Sequence, residues 1–152
     1  MVRREAGFTL IEILLVIGIL VLLLSIVIVA INPARQFANA NNAKRSSDVN
    51  AILNAIQQYM VDNRGSLPPN MATGSATVTI ATGVGNADIC SSLVPRYIAA
   101  FPSDPNSTAG GSPITNCNSY NSGYVASMSA TDNRITISAP NAQLGITVGT
   151  TR

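Results

Sequence analysis

One carboxylate at the mouth of a long uncharged apolar run constrains this chain most. Glu12 is followed by residues 13–31, which carry no charge, and only Gly18 and Ser25 interrupt an otherwise apolar sequence there. At ~1.5 Å rise per residue, a helix over 13–31 is about 28 Å long, close to the roughly 30 Å hydrocarbon core of a bilayer. A plain membrane anchor has no use for an acid near its end. At the centre of a spanning helix an acid costs roughly 2.5–3.5 kcal/mol on insertion scales, and less near an end. Something must compensate Glu12, and its partner is the route to function.

Orientation follows from Arg3 and Arg4, which precede the run, with no Lys or Arg after them until Arg35. The positive-inside rule keeps the first residues cytoplasmic and sends the remainder outward. The 152 residues then leave room for one modest exported domain. A net charge of +2 argues against a polybasic nucleic-acid surface as the main theme. There is no histidine, which removes the commonest general base and the commonest metal ligand. Both cysteines, Cys90 and Cys117, follow the apolar run. Export makes them a disulfide pair; a reducing compartment leaves them as two buried thiols.

Beyond the run the sequence stays helical but changes character. Asn32-Pro33 predicts a kink, because proline removes a backbone donor and disfavours α geometry in the residue before it. Over 34–63, Val49, Ile52, Leu53, Ile56, Tyr59 and Met60 recur at spacings of three and four, while Arg35, Lys44, Arg45, Asp48, Asn54 and Gln58 fall among the polar positions. Arg64-Gly65 reads as a helix end, and Pro68-Pro69 forbids resumption. An unbroken rod over 8–63 is about 84 Å long, greasy all round below and on one side above.

Residues 66–152 are rich in Ser, Thr, Asn, Gly and Pro, with short alternating runs. Strands are expected at 76–82, with Val78 and Ile80 on one face, and at 144–148. A hairpin is expected from 124–129 and 134–139 around Thr131-Asp132-Asn133, with Val125, Met128, Ile135 and Ile137 as its apolar positions. Residues 93–100 suggest a short helix or turn. Large aliphatics are too sparse here for a deep core, so one sheet face must pack on the stripe of the upper helix. The alternative is a partly disordered exported tail.

Three common roles for the first segment fit poorly. A secretory signal has a 7–15-residue apolar core and a small-residue cleavage site, and this core is longer. A twin-arginine signal could use Arg3-Arg4, but the surrounding pattern is poor. A plain anchor leaves Glu12 and the leader ending in Gly7 unexplained.

Gly7-Phe8-Thr9-Leu10-Ile11-Glu12, behind a basic leader and ahead of an apolar helix, resembles the processing signature of type IV prepilins and pseudopilins. The resemblance implies cleavage after Gly7 by a membrane peptidase that also N-methylates the new first residue, Phe8. Residues 52–68, with Tyr59, Asp62-Asn63, Gly65 and Pro68, are similar to the end of the long helix in the pseudopilin-like branch. Tyr97-Ile98 and Phe101-Pro102-Ser103-Asp104-Pro105 resemble it more loosely. Pro33 comes a little later than the family's helix-bending proline, which leaves open where the helix melts in a filament.

The resemblance gives Glu12 a role. Cutting after Gly7 frees an α-amine on Phe8 with a reference pKa of about 8, protonated at neutral pH. Glu12 of one subunit and the Phe8 amine of a neighbour then neutralise each other; alternatively Glu12 is an idle acid reaching the interface. The expectation is an α+β, pilin-like fold: a long N-terminal α-helix, its lower half hydrophobic, on a small antiparallel β-sheet. Its segments are a leader (1–7), a transmembrane or filament-core helix (8–31), an amphipathic continuation (32–65) and a β-rich exported domain (66–152).

The implied function is a structural subunit of a helical filament serving adhesion, motility or DNA uptake. The rivals are a pseudopilin of type II secretion and an uncleaved membrane-tethered binding protein. Implied partners are further copies of the chain, the prepilin peptidase/methyltransferase, an inner-membrane assembly platform and lipid before assembly. Nucleic acid enters only through a competence role. Location is the bacterial inner membrane, then an extracellular pilus or periplasmic pseudopilus. No catalytic residue, cofactor or metal is assigned. Asp104, Asn106, Asp132 and Asn133 offer oxygen donors for calcium, but without regular ligand spacing, and turn chemistry explains them equally well.

Overall fold

The computed structural model describes residues 7–71 and 74–152, so the leader arginines Arg3 and Arg4 lie outside the described residues. The chain divides into two units, Met1–Phe37 and Ala38–Arg152.

In the first unit, α1 spans Leu10–Ile31. It starts there because Thr9 is an N-cap: its backbone is extended and its hydroxyl accepts from the Glu12 N–H at 3.3 Å. Thr9 and Glu12 have the spacing of a capping box, and the Glu12 charge sits in the first turn, where the helix dipole favours an anion. None of the 22 residues of α1 is buried. The helix is long and apolar enough to cross a membrane. Ser25 donates its hydroxyl to the Leu22 carbonyl at 2.7 Å, so it enters the apolar run without needing a partner.

Helical geometry is lost at Asn32, one residue before Pro33. Asn32 is left-handed, with φ 47°, a conformation asparagine tolerates better than most residues. It ends α1 and begins α2 at once. Its carbonyl accepts from the Arg35 and Gln36 N–H groups, and its side-chain oxygen accepts from the Arg35 N–H at 3.3 Å. Pro33 opens α2, the first-turn position where a missing N–H costs nothing.

Helix α2 runs over Pro33–Asp62. Its end is built by Asn63, whose N–H and side-chain amide both donate to the Tyr59 carbonyl, and by Gly65, which donates to Met60 at φ 85°. In the second unit the rest of the chain forms β1 (Val78–Ala81), the single turn α3 (Cys90–Leu93), β2 (Asn121–Met128), β3 (Ile135–Ala139) and β4 (Val148–Thr151). The strands form one antiparallel sheet in the order β1-β2-β3-β4.

The core lies between one face of this sheet and the stripe Val49, Ile52, Leu53 and Ile56 of α2. It is completed by Ile89, Leu93 and Phe101 from the long β1–β2 connection. The sheet thus borrows its hydrophobic partner from the helix, as the scarcity of aliphatics after residue 66 requires.

One of the two apolar positions that the sequence suggests for β2 does not face inward. Ser122, Tyr124 and Ala126 are buried and Met128, on the same face, is half-buried against the core, whereas Val125 lies on the opposite face. Polar anchoring decides which face points inward: Tyr124 reaches Asp48 on α2 at 2.6 Å, and Ser122 donates to the Ile80 carbonyl at 2.7 Å. The last strand also starts later than the expected 144–148. Leu144 and Gly145 take φ 63° and 68°, which makes a turn, and pairing with β3 begins only at Val148.

Candidate assembly site

The segment that carries the processing motif makes few demands of its own fold. A side chain added at Gly7 would meet nothing within 4 Å, and Gly7 does not need left-handed backbone. Packing among the described residues therefore does not explain its glycine identity. Phe8 is 80% exposed. Glu12 is exposed, and among the described residues its carboxylate engages no side chain. The structure thus presents a benzyl group and an acid on one helix start without joining them. In the uncut chain the Phe8 nitrogen is an uncharged amide, so no cation exists there to pair with.

The other residues singled out fall in both units. Pro33 sits at the helix interruption. Cys90, at the start of α3, and Cys117 form a disulfide across 27 residues, with Cα atoms 5.5 Å apart. Tyr120 supports the same loop, its hydroxyl accepting from the Cys90 N–H at 3.2 Å. Burial, then proximity of the Asp88 carboxylate against the opposing Cys90 N–H, leaves the Tyr120 hydroxyl well above its ordinary acidity range.

A buried polar network joins α2 to the β1–β2 connection and was not foreseen as such. Arg45, placed by pattern among the polar positions, is wholly buried. Its Nε donates to Asp104 Oδ2 at 2.7 Å and its Nη2 to Asp104 Oδ1 at 3.1 Å, a two-pronged pair with both side chains buried. Asn42 accepts from Arg45 and donates to the Gln143 carbonyl at 2.9 Å. Alongside, Lys44 bridges Asp48 and the Ser103 carbonyl, and Asp48 also accepts from Tyr124. Burial, followed by the hydrogen bond to Asp48, pushes the Tyr124 hydroxyl far above its ordinary range.

A signal for this network does exist in the sequence. Stepping back from Val49 by four and three gives Arg45 and Asn42, and four more gives Ala38, all buried on the same stripe. Asp104 therefore serves Arg45 through both carboxylate oxygens. Asp132 lies in the β2–β3 turn, where a hydrogen bond with Ser129 holds its carboxyl below the usual range. Among the described residues, no three His, Cys, Asp or Glu side chains are grouped as a metal cage.

Residues 2–31 match the family model described as the prokaryotic N-terminal methylation motif. The chain is also similar to the type II secretion system core protein G of Aeromonas hydrophila, 39% identical over 61 residues, which is 40% of this chain and 41% of that protein. It thus spans about two-fifths of the length of the curated relative it matches. No solved structure matches significantly.

Proposed function

We propose that this chain, pilin-like in its methylation motif and in its helix-on-sheet fold, is a structural subunit of a helical filament of the type IV pilus kind. The observation that carries the reading is one juxtaposition: a methylation motif over residues 2–31 leads into a helix none of whose residues is buried. Apolar surface in water forfeits about 25 cal/mol per Å². Helix α1 therefore needs lipid before assembly and other copies of itself afterwards.

On this reading residues 1–7 are the leader, 8–31 the membrane and filament-core helix, 32–65 its amphipathic continuation, and 66–152 the exported domain. A prepilin peptidase/methyltransferase cuts after Gly7 and methylates Phe8. An inner-membrane platform then moves the subunit from the bilayer into the fibre. The chain catalyses nothing itself.

Charge logic explains why cutting licenses assembly. The cut creates a cation at Phe8, and methylation preserves it. Burying that cation or Glu12 alone among apolar helices costs several kcal/mol, whereas a well-made pair roughly breaks even. Pairing Glu12 with the neighbour's Phe8 amine therefore fixes the stagger between subunits more than it adds stability.

A second use of the same filament is favoured by the named relative: a periplasmic pseudopilus of type II secretion, in place of a surface pilus for adhesion, motility or DNA uptake. Imaging cells for extended surface fibres separates the two. The central test is mass spectrometry of the protein from its native host. A chain beginning at N-methylated Phe8 is expected; a functional chain that still carries Met1 to Gly7 would show an uncleaved membrane-tethered protein instead.

A further inference from the structure

The turn that follows Asp104 carries chemistry that the assembly role does not use. Asn106-Ser107-Thr108 has the Asn-x-Ser/Thr pattern, and no other asparagine of the chain is followed two residues later by Ser or Thr. On an exported surface loop this triplet is the acceptor pattern for N-linked glycosylation.

The structure presents the triplet as a fixed base with a free apex. Asp104, held from α2 by Arg45, accepts the Asn106 N–H on Oδ1 at 2.7 Å. Its carbonyl accepts the Ser107 N–H at 2.9 Å, the Ser107 hydroxyl at 2.8 Å and the Gly111 N–H at 3.1 Å. Strand β2 closes against the turn from below. At Gly123, with φ 77°, a Cβ would lie 2.8 Å from Asp104 Cβ and 3.0 Å from Ser107 Cβ, so only glycine fits.

Above this base, Asn106 and Thr108 are exposed. Neither side chain takes part in a hydrogen bond among the described residues, whereas the amides of Asn42, Asn50, Asn63 and Asn86 all donate to backbone carbonyls. The Asn106 amide can thus be reached and modified without dismantling the fold.

We propose that Asn106 is the acceptor of an N-linked glycan, with Thr108 as the hydroxyl that the transfer requires. The donor class is a lipid-pyrophosphate-linked oligosaccharide. The Asn106 amide nitrogen forms a bond to the anomeric carbon as the bond from that carbon to the phosphate oxygen breaks. The lipid pyrophosphate leaves with the electron pair, and the amide loses one proton to a base of the transferase. No oxidant or reductant is needed. The inference rests on the exported placement of residues 66–152 in the function proposed above.

The test is peptide and intact-mass spectrometry of the full chain purified from its native host, as wild type and as Asn106→Gln, Thr108→Ala and Thr108→Ser. A hexose-containing adduct on the Asn106 peptide is expected in wild type. It should vanish in Asn106→Gln and Thr108→Ala and persist, at equal or lower occupancy, in Thr108→Ser. All three substitutions are at exposed side chains, so unchanged thermal unfolding controls for folding. An unmodified Asn106 peptide in wild type overturns the proposal, and so does an adduct that survives Asn106→Gln. The N-terminal peptide in the same spectra reports leader cleavage separately, so failure of the filament reading is distinguishable from failure at Asn106.

Discussion

Arg45 is the residue whose environment departs furthest from its chemical type. A buried ion pair adds little net stability, but removing one partner leaves a desolvated charge. Asp104→Ala should therefore destabilise the folded domain by about 3–5 kcal/mol. Replacing both, as Arg45→Met with Asp104→Leu, should cost much less. Urea unfolding of the detergent-solubilised chain measures both; equal losses in the single and double variants would show that the pair is not what the single variant breaks. Tyr124 and Tyr120 make a second test at this scale. Each phenol ionises in the folded chain only well above its ordinary value near 10. Folding therefore favours their neutral forms: that contribution is complete below pH 10 and is lost as pH rises above it. Tyrosinate absorbance from these two should emerge together with loss of far-ultraviolet circular dichroism. Full ionisation near pH 10 with the fold intact would refute the burial argument.

At the level of elements, legibility in the sequence follows local chemistry. The apolar run, the interruption beside Pro33, the end of α2 near Gly65 and the β2–β3 hairpin could be read because each is specified by a few neighbouring residues. What could not be read depends on contacts distant in sequence. The inward face of β2 is chosen by Tyr124 reaching back 76 residues to Asp48, and Arg45 is buried because Asp104 arrives from 59 residues away. The start of α1 was a near miss, since Thr9 as a cap was available in the motif itself. The cysteines lie between these cases: their pairing depended on compartment, and the structure joins them. The β1–β2 connection has little regular structure, so the bridge chiefly limits its unfolded freedom. Across a separation of 27 residues, Cys117→Ser should cost roughly 3–4 kcal/mol on the chain-entropy estimate. A change in thermal midpoint no larger than that of an exposed Ser→Ala control would mean that packing of Leu93 and Phe101 already fixes the loop.

For the whole molecule, the segment with the strongest sequence signal has the least structure of its own to explain it. Among the described residues, Gly7, Phe8 and Glu12 contact little, and α1 exposes its full apolar circumference. In the proposed filament their meaning is intermolecular, which a single chain cannot satisfy. The capping geometry nonetheless supplies a competing account, in which Glu12 only steadies the first turn of α1 through its charge. The two accounts differ in what happens in mixtures. A first-turn role belongs to each subunit alone, so a Glu12→Ala chain should be equally impaired whatever surrounds it. Pairing between neighbours is shared. A Glu12→Ala subunit still brings its own Phe8 amine to the Glu12 of a wild-type neighbour, and lacks only one of its two contacts. A tagged Glu12→Ala chain should therefore be cleaved and methylated normally and give at least tenfold fewer filaments alone, equivalent to a loss of about 1.4 kcal/mol or more. It should enter filaments when co-expressed with wild type. Sheared-fibre immunoblots with and without the wild-type copy read this directly. Absence of the tag from mixed fibres would assign Glu12 to the helix start, and normal fibre yield from the variant alone would remove it from assembly.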